Sequence, residues 1–112
     1  MRLLFVSILI SLAASPAWAA PETLIPRSMA GDKGAYYLLE AKKEDGMVST
    51  LHKRVGPSGT GYTRTQIICR TMRMRELGYS EESAAAIKIK AGAWFDLVPG
   101  SSKSDLAKFV CR

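Results

Sequence analysis

The sequence predicts an α+β domain: a small antiparallel β-sheet packed by a C-terminal helix that a disulfide tethers. Three observations carry that expectation. Runs of alternating polarity are separated by turn signals, above all Asp45-Gly46 and Pro99-Gly100. Residues 102–110 combine helix-start residues with apolar side chains at helical spacing. The chain has two cysteines, and Cys111 falls at the end of that helix while Cys69 lies in the middle of the chain.

The N-terminal stretch is read apart from the fold. Arg2 precedes an apolar run over residues 3–12, which Pro16 and the small-residue site Ala17-Trp18-Ala19 follow. Charge, apolar core and A-x-A site in that order form a secretory signal peptide, cleaved after Ala19. The apolar run falls short of the roughly 20 residues that span a bilayer, so the mature chain is expected to hold no transmembrane segment. The expected organisation is a signal peptide over 1–19, an N-terminal arm over 20–33 and one domain over 34–112. Cleavage removes one of 16 basic residues and none of the 10 acidic ones, lowering the net charge from +6 to +5. That excess favours anionic partners and serves solubility equally well. The destination is the periplasm, the cell surface or the medium, all oxidising, so Cys69 and Cys111 are expected to pair. Two buried thiols or an intermolecular bridge are the alternatives. Closing a loop of about 40 residues is worth roughly 4 kcal/mol in the chain-entropy model, a useful constraint for so small a domain.

Residues 20–33 carry Pro21, Pro26 and Gly31 with little periodicity and read as a tethering arm. From Gly34 the run AYYLLEAKK alternates and is rich in tyrosine, so it forms a half-buried strand. Asp45-Gly46 reverses the chain, because glycine tolerates the positive φ of a tight hairpin turn. The return run MVSTLHKRV sets Val48, Thr50, His52 and Arg54 on one face and Met47, Ser49, Leu51 and Lys53 on the other. Met47, Leu51 and Val55 also fit helical spacing; the turn and the β-branched content favour a strand. Residues 56–61, GPSGTG, form a flexible loop or turn. They nearly spell a phosphate-binding loop, but Tyr62 occupies the lysine position and exported compartments lack nucleoside triphosphates, so that motif is rejected.

Residues 62–79 are too long for one straight strand, and a bulge or turn near 70–73 is expected to split them. A helix ending at Gly78 is the alternative. Residues 80–86 are either one helical turn capped by Ser80 or a polar loop. Residues 87–90 alternate, and 93–98 form a strand on which Trp94 and Phe95 point to opposite sides, with Phe95 toward Leu106 or Phe109. Ser102-x-x-Asp105 has the capping-box pattern, so the helix starts there. Leu106, Phe109 and Val110 form its buried stripe.

Several of these residues resemble a known family. Cys69, Arg73, Arg75 and Tyr79, then Trp94, Pro99, Gly100, Ser101, Leu106, Val110 and Cys111, resemble the bacterial surface-adhesin protein E-like domain over roughly the second half of the mature chain. The resemblance implies an exported domain with an antiparallel sheet, a C-terminal helix and a disulfide between Cys69 and Cys111. It also implies an adhesin that binds host extracellular-matrix proteins and can dimerise.

Chemistry-bearing patterns are sparse. His52 is the single histidine, it sits mid-strand, and the sequence has no G-x-S-x-G elbow, so a hydrolytic triad is not expected. His52 is read as exposed or cross-strand-paired. One histidine without C-x-x-C or H-x-x-x-H spacing gives no metal site, and no cofactor is expected. Arg70, Arg73 and Arg75, with Lys53 and Arg54 as a second group, are the candidate surface for an anionic partner, since guanidinium groups bind carboxylates through paired hydrogen bonds. A charged outer face that guards a sheet edge is the plainer account of the same residues. Nucleic acid is excluded, because no binding motif accompanies the arginines. The expected function is therefore a non-enzymatic, adhesin-like or envelope-associated binding module that takes a protein or acidic glycan through a basic face, as a monomer or a homodimer. The alternative is an inhibitor of a periplasmic or extracellular hydrolase that inserts residues 56–61 into the enzyme's cleft. A small secreted enzyme ranks third.

Overall fold

The computed structural model describes residues 22–112. The expected signal peptide, 1–19, lies outside the described residues. The strands are β1 (Thr23–Leu24), β2 (Ala35–Glu44), β3 (Met47–Gly56), β4 (Gly59–Ile68), β5 (Arg73–Ser80) and β6 (Phe95–Asp96), and one helix follows, α1 (Ser102–Val110). Each strand pairs antiparallel with the next, so the six stand in the sheet in sequence order. The α+β expectation is thereby corrected to a mainly β fold. The reason is local: short reversals let β2 to β5 pair in succession, and the two other candidates for helix form strand β5 over 73–80 and bends and turns over 81–86.

Asp45 and Gly46 both adopt positive φ, 46° and 79°, and join β2 to β3 in the reversal that the sequence predicts. Gly56 pairs directly with Gly59, so the GPSGTG stretch is a tight hairpin that continues into β4. The long 62–79 run divides where expected: residues 69–72 turn, with Met72 at φ 52°, and β5 pairs back along β4. In the 80–86 segment, the Ser80 hydroxyl accepts from the Glu82 amide at 3.0 Å. Residues 87–92 follow the edge of β5, to which the amides of Lys90 and Gly92 donate at 2.7 and 2.8 Å. The strand expected over 93–98 is reduced to the two residues of β6.

The segment read as an arm is docked on the sheet. Thr23 and Leu24 pair with Leu38 and Tyr37, and Ile25 is fully buried. Arg27 reaches Asp105 on α1 at 2.8 Å, and the Ser28 amide donates to the same carboxylate at 3.0 Å. Asp105 was read as a capping-box acid with Ser102 as the cap. The cap is instead Ser101, whose hydroxyl accepts from the Ser104 amide at 3.2 Å, which releases Asp105 to hold the arm.

The core lies between α1 and the inner face of the sheet. Leu106, Ala107 and Val110 pack with Val48, Ile67 and Met74, and Phe95 is half-buried against the same cluster. A fully buried aliphatic side chain such as Leu106 is worth about 1.5–3 kcal/mol. Cys69 and Cys111 are bonded, with Cα atoms 5.5 Å apart. The C-terminal end of α1 is therefore fixed to the β4–β5 turn. Its N-terminal end lies toward the other end of the sheet, beside the β3–β4 hairpin. No helix among the described residues is long and apolar enough to cross a membrane.

Candidate functional site

Because α1 covers one end of the inner face, the other end is left as a groove of about 660 Å³ between the start of the helix and the β3–β4 hairpin. Its floor is set by strand register. Arg54 lies between Tyr36 and Gly61, and His52 between Leu38 and Thr63, so side chains from three strands project side by side. A fourth strand joins through a bulge. Thr65 pairs with Glu76 and Arg64 with Gly78, which leaves Leu77 as an extra residue in β5. In an unbroken strand Glu76 and Tyr79 would face opposite ways. With Leu77 unpaired, both turn to the groove side, Glu76 beside Thr65 and Tyr79 beside Thr63. Glycine completes the fit at Gly61: a Cβ there would collide with the Tyr79 ring, which lies against the strand.

The walls are held by ion pairs and hydrogen bonds. Arg54 donates to Asp32 at 2.6 Å and to the Tyr36 hydroxyl at 3.1 Å, and that hydroxyl in turn donates to Asp32. The Gly34 amide also donates to Asp32, at 2.8 Å. Hydrogen bonds from Arg54, Tyr36 and Gly34 hold the Asp32 carboxyl well below the usual carboxylate range. Lys103, in the first turn of α1, bridges to Glu76 at 3.0 Å and so links the helix to β5 across the groove.

His52 is the unusual member. It was expected exposed or cross-strand-paired, yet it is only 9% exposed and its Nδ1 is buried with no hydrogen-bond partner. Burial pushes its pKa down from 6.5 to about 4; the nearby Glu76 acts against that shift and Lys103 adds to it. The ring is therefore neutral at pH 7. A buried ring nitrogen without a partner carries a desolvation cost, and in native proteins such groups are few.

The predicted basic residues do not converge. Arg54 belongs to the groove wall, whereas Lys53, one residue on, faces the other side of the sheet and pairs with Glu22. Arg73 and Arg75 share that outer face. Arg73 pairs with Asp96 at 3.1 Å, while Arg75 donates to Gln66 at 2.8 Å and stacks over Trp94 at 4.6 Å. Arg70 is exposed in the β4–β5 turn. Most of this group is thus already engaged within the chain. Residues 56–61, the loop assigned to an enzyme's cleft in the inhibitor reading, form the β3–β4 hairpin end, and Ser58, Gly59, Thr60 and Gly61 of them line the groove.

Comparison with family models, curated proteins and solved structures finds no match.

Sequence reasoning missed Glu76, Tyr79 and Lys103 as site residues. Glu76 and Tyr79 stand at an odd spacing that alternation assigns to opposite faces, and Lys103 is brought in by the helix. A signal did exist for His52: it shares its alternating face with Val48 and Thr50, both buried, and Thr50 exchanges a hydroxyl hydrogen bond with Thr65 beneath the helix. Among the described residues no cluster of His, Cys, Asp and Glu is arranged to hold a metal ion.

Proposed function

We propose that this chain is an exported, non-enzymatic binding module whose ligand seat is the groove over His52. The observation that carries the reading is a polar groove of about 660 Å³, within the range of small-molecule sites, floored by a buried histidine whose Nδ1 has no partner. The walls come mainly from strands and a helix, with Ser58 and Glu81 added from the turns beside them, so most of the seat is pre-formed. The disulfide is compatible with an oxidising compartment. Non-enzymatic action is supported by the geometry of His52, since a general base of a triad is oriented through its second ring nitrogen and this one makes no such bond. The resemblance to the surface-adhesin protein E-like domain supports an envelope role. The test is amide chemical-shift mapping against a library of small polar compounds. Shifts clustered at Gly61, Thr63, Tyr79 and Lys103 support the reading, whereas shifts confined to the outer face, or none, refute it.

A second reading is favoured by one observation. On the outer face, Arg75 lies over Trp94 and Lys53 over Tyr37, at 4.6 and 5.4 Å, giving cations and rings side by side for an acidic glycan. Salt-sensitive binding of a polyuronate that is lost in a triple Arg70→Glu, Arg73→Glu, Arg75→Glu variant supports it. Binding unaffected by that variant refutes it.

A further inference from the structure

We infer that the groove takes an uncharged, polyhydroxylated ligand: a neutral sugar residue or a short neutral glycan. This deepens the reading of the groove as the ligand seat and rests on it. The first argument is charge. Arg54 and Lys103 contribute two positive charges to the lining and Glu76 and Glu81 two negative ones, with His52 neutral. Each cation is already matched, Arg54 by Asp32 and Lys103 by Glu76. An anion entering the groove has to compete with those carboxylates and meets the like charge of Glu81 at its edge. A neutral ligand meets no net charge to oppose it.

The second argument is the supply of hydrogen-bonding groups. The hydroxyls of Ser58, Thr60, Thr63 and Ser102 each donate and accept, and the neutral imidazole adds one donor or acceptor through the ring nitrogen that is not enclosed. Glu81 accepts only. This mixture suits a molecule whose own groups are hydroxyls, because every hydroxyl both donates and accepts and can turn to meet either kind of neighbour. A carboxylate or phosphate can only accept, and the groove's acceptors would be left facing it. His52 adds a fixed point to the floor, since its ring is buried on most sides and still lines the groove.

The third argument is shape. Tyr79 stands at the rim, 55% exposed, with its ring set against Gly61. An exposed tyrosine over a polar floor presents an apolar ring and a polar tip, the pairing that a sugar's C–H face and hydroxyl edge require. Its hydroxyl already contacts Glu81 at 3.4 Å, which holds the ring beside the opening.

The experiment is saturation-transfer NMR on the oxidised protein with three probe sets. These are neutral mono- and disaccharides built from glucose, galactose, mannose and N-acetylglucosamine; glucuronate and galacturonate; and free amino acids with inorganic phosphate. Each set is run on the wild type, on Thr63→Trp, which fills the floor, and on Tyr79→Ala, which removes an exposed ring and leaves the core intact. The inference expects a neutral saccharide to bind the wild type, to weaken at least ten-fold in both variants, and to be insensitive to salt. Groove-dependent binding of uronates, amino acids or phosphate without any neutral saccharide overturns the ligand class and leaves the groove standing as a seat. Failure of every probe to distinguish the wild type from the two variants overturns both.

Discussion

Replacing His52 by glutamine should remove most of the protein's loss of stability between pH 7 and pH 5. In the folded chain burial lowers the His52 pKa to about 4, against 6.5 when unfolded. Above 6.5 both states are neutral and pH has no effect through this residue. As pH falls below 6.5 the unfolded chain takes up the proton and the folded chain does not, so unfolding is favoured increasingly until pH reaches about 4. The full depression is worth about 3 kcal/mol, of which about 2 kcal/mol accrues between pH 7 and pH 5. The carboxylates do not confuse that interval, because Asp32 and Asp105 have depressed values and lose their contribution only as pH falls below the ordinary carboxylate range. Urea denaturation of untagged wild type and His52→Gln at pH 7, 6 and 5 reads the slope directly, whatever the absolute cost of the substitution. With one histidine in the chain, its ring-proton NMR titration gives an independent value. Equal losses in the two proteins, or a histidine that titrates above pH 6, would refute the buried neutral ring and with it the floor of the groove.

Three further outcomes are expected. Reducing the Cys69–Cys111 bond, which closes a separation of 42 residues, should cost about 4 kcal/mol in the chain-entropy model, measured by denaturant midpoints with and without reductant. Asp105→Ala should cost about 1–3 kcal/mol, because the Ser28 amide and one side of the Arg27 guanidinium lose their acceptor while Asp32 still pairs with Arg27, and amide exchange should quicken at Ile25 and Ser28 before it does at Ile67. Gly78→Ala should destabilise the chain by more than about 1 kcal/mol in thermal or urea melts, since φ there is 155° and a Cβ would press on the backbone carbonyl of Lys88.

Local chemistry was the legible part of the sequence. Asp45-Gly46 announces its own turn, two cysteines in a chain whose sequence reads as exported announce their bond, and a run of 18 residues is too long for one strand unless it breaks near Arg70. Relations between distant elements were not legible. The described part of the arm, 22–33, shows no periodicity because it is held by a two-residue pairing, one buried side chain, Ile25, and by Arg27 and Ser28 on Asp105, not by a repeating face. The fold class was misjudged because a single nine-residue helix at the end of the chain weighs heavily in a reading of motifs and lightly in a count of elements. The arginines were grouped by sequence proximity, yet Lys53 and Arg54 lie on opposite sides of the sheet and Arg70 on a turn. The groove was hidden for a related reason. Its residues come from five elements, and the extra residue Leu77 brings Glu76 and Tyr79 to one side where plain alternation would separate them.

The margins of the sheet bear on how copies of this chain can meet. Both outermost strands are two residues long, and β1 shields only the first part of β2. The remainder of that strand ends in Lys42, Lys43 and Glu44, all exposed, so a second copy docking there by backbone bonding would bring like charges together. Self-association through a shared continuous sheet is thereby discouraged. Contact between copies through side chains on a broad surface is favoured instead, which guards each copy's ribbon of strands against templated growth.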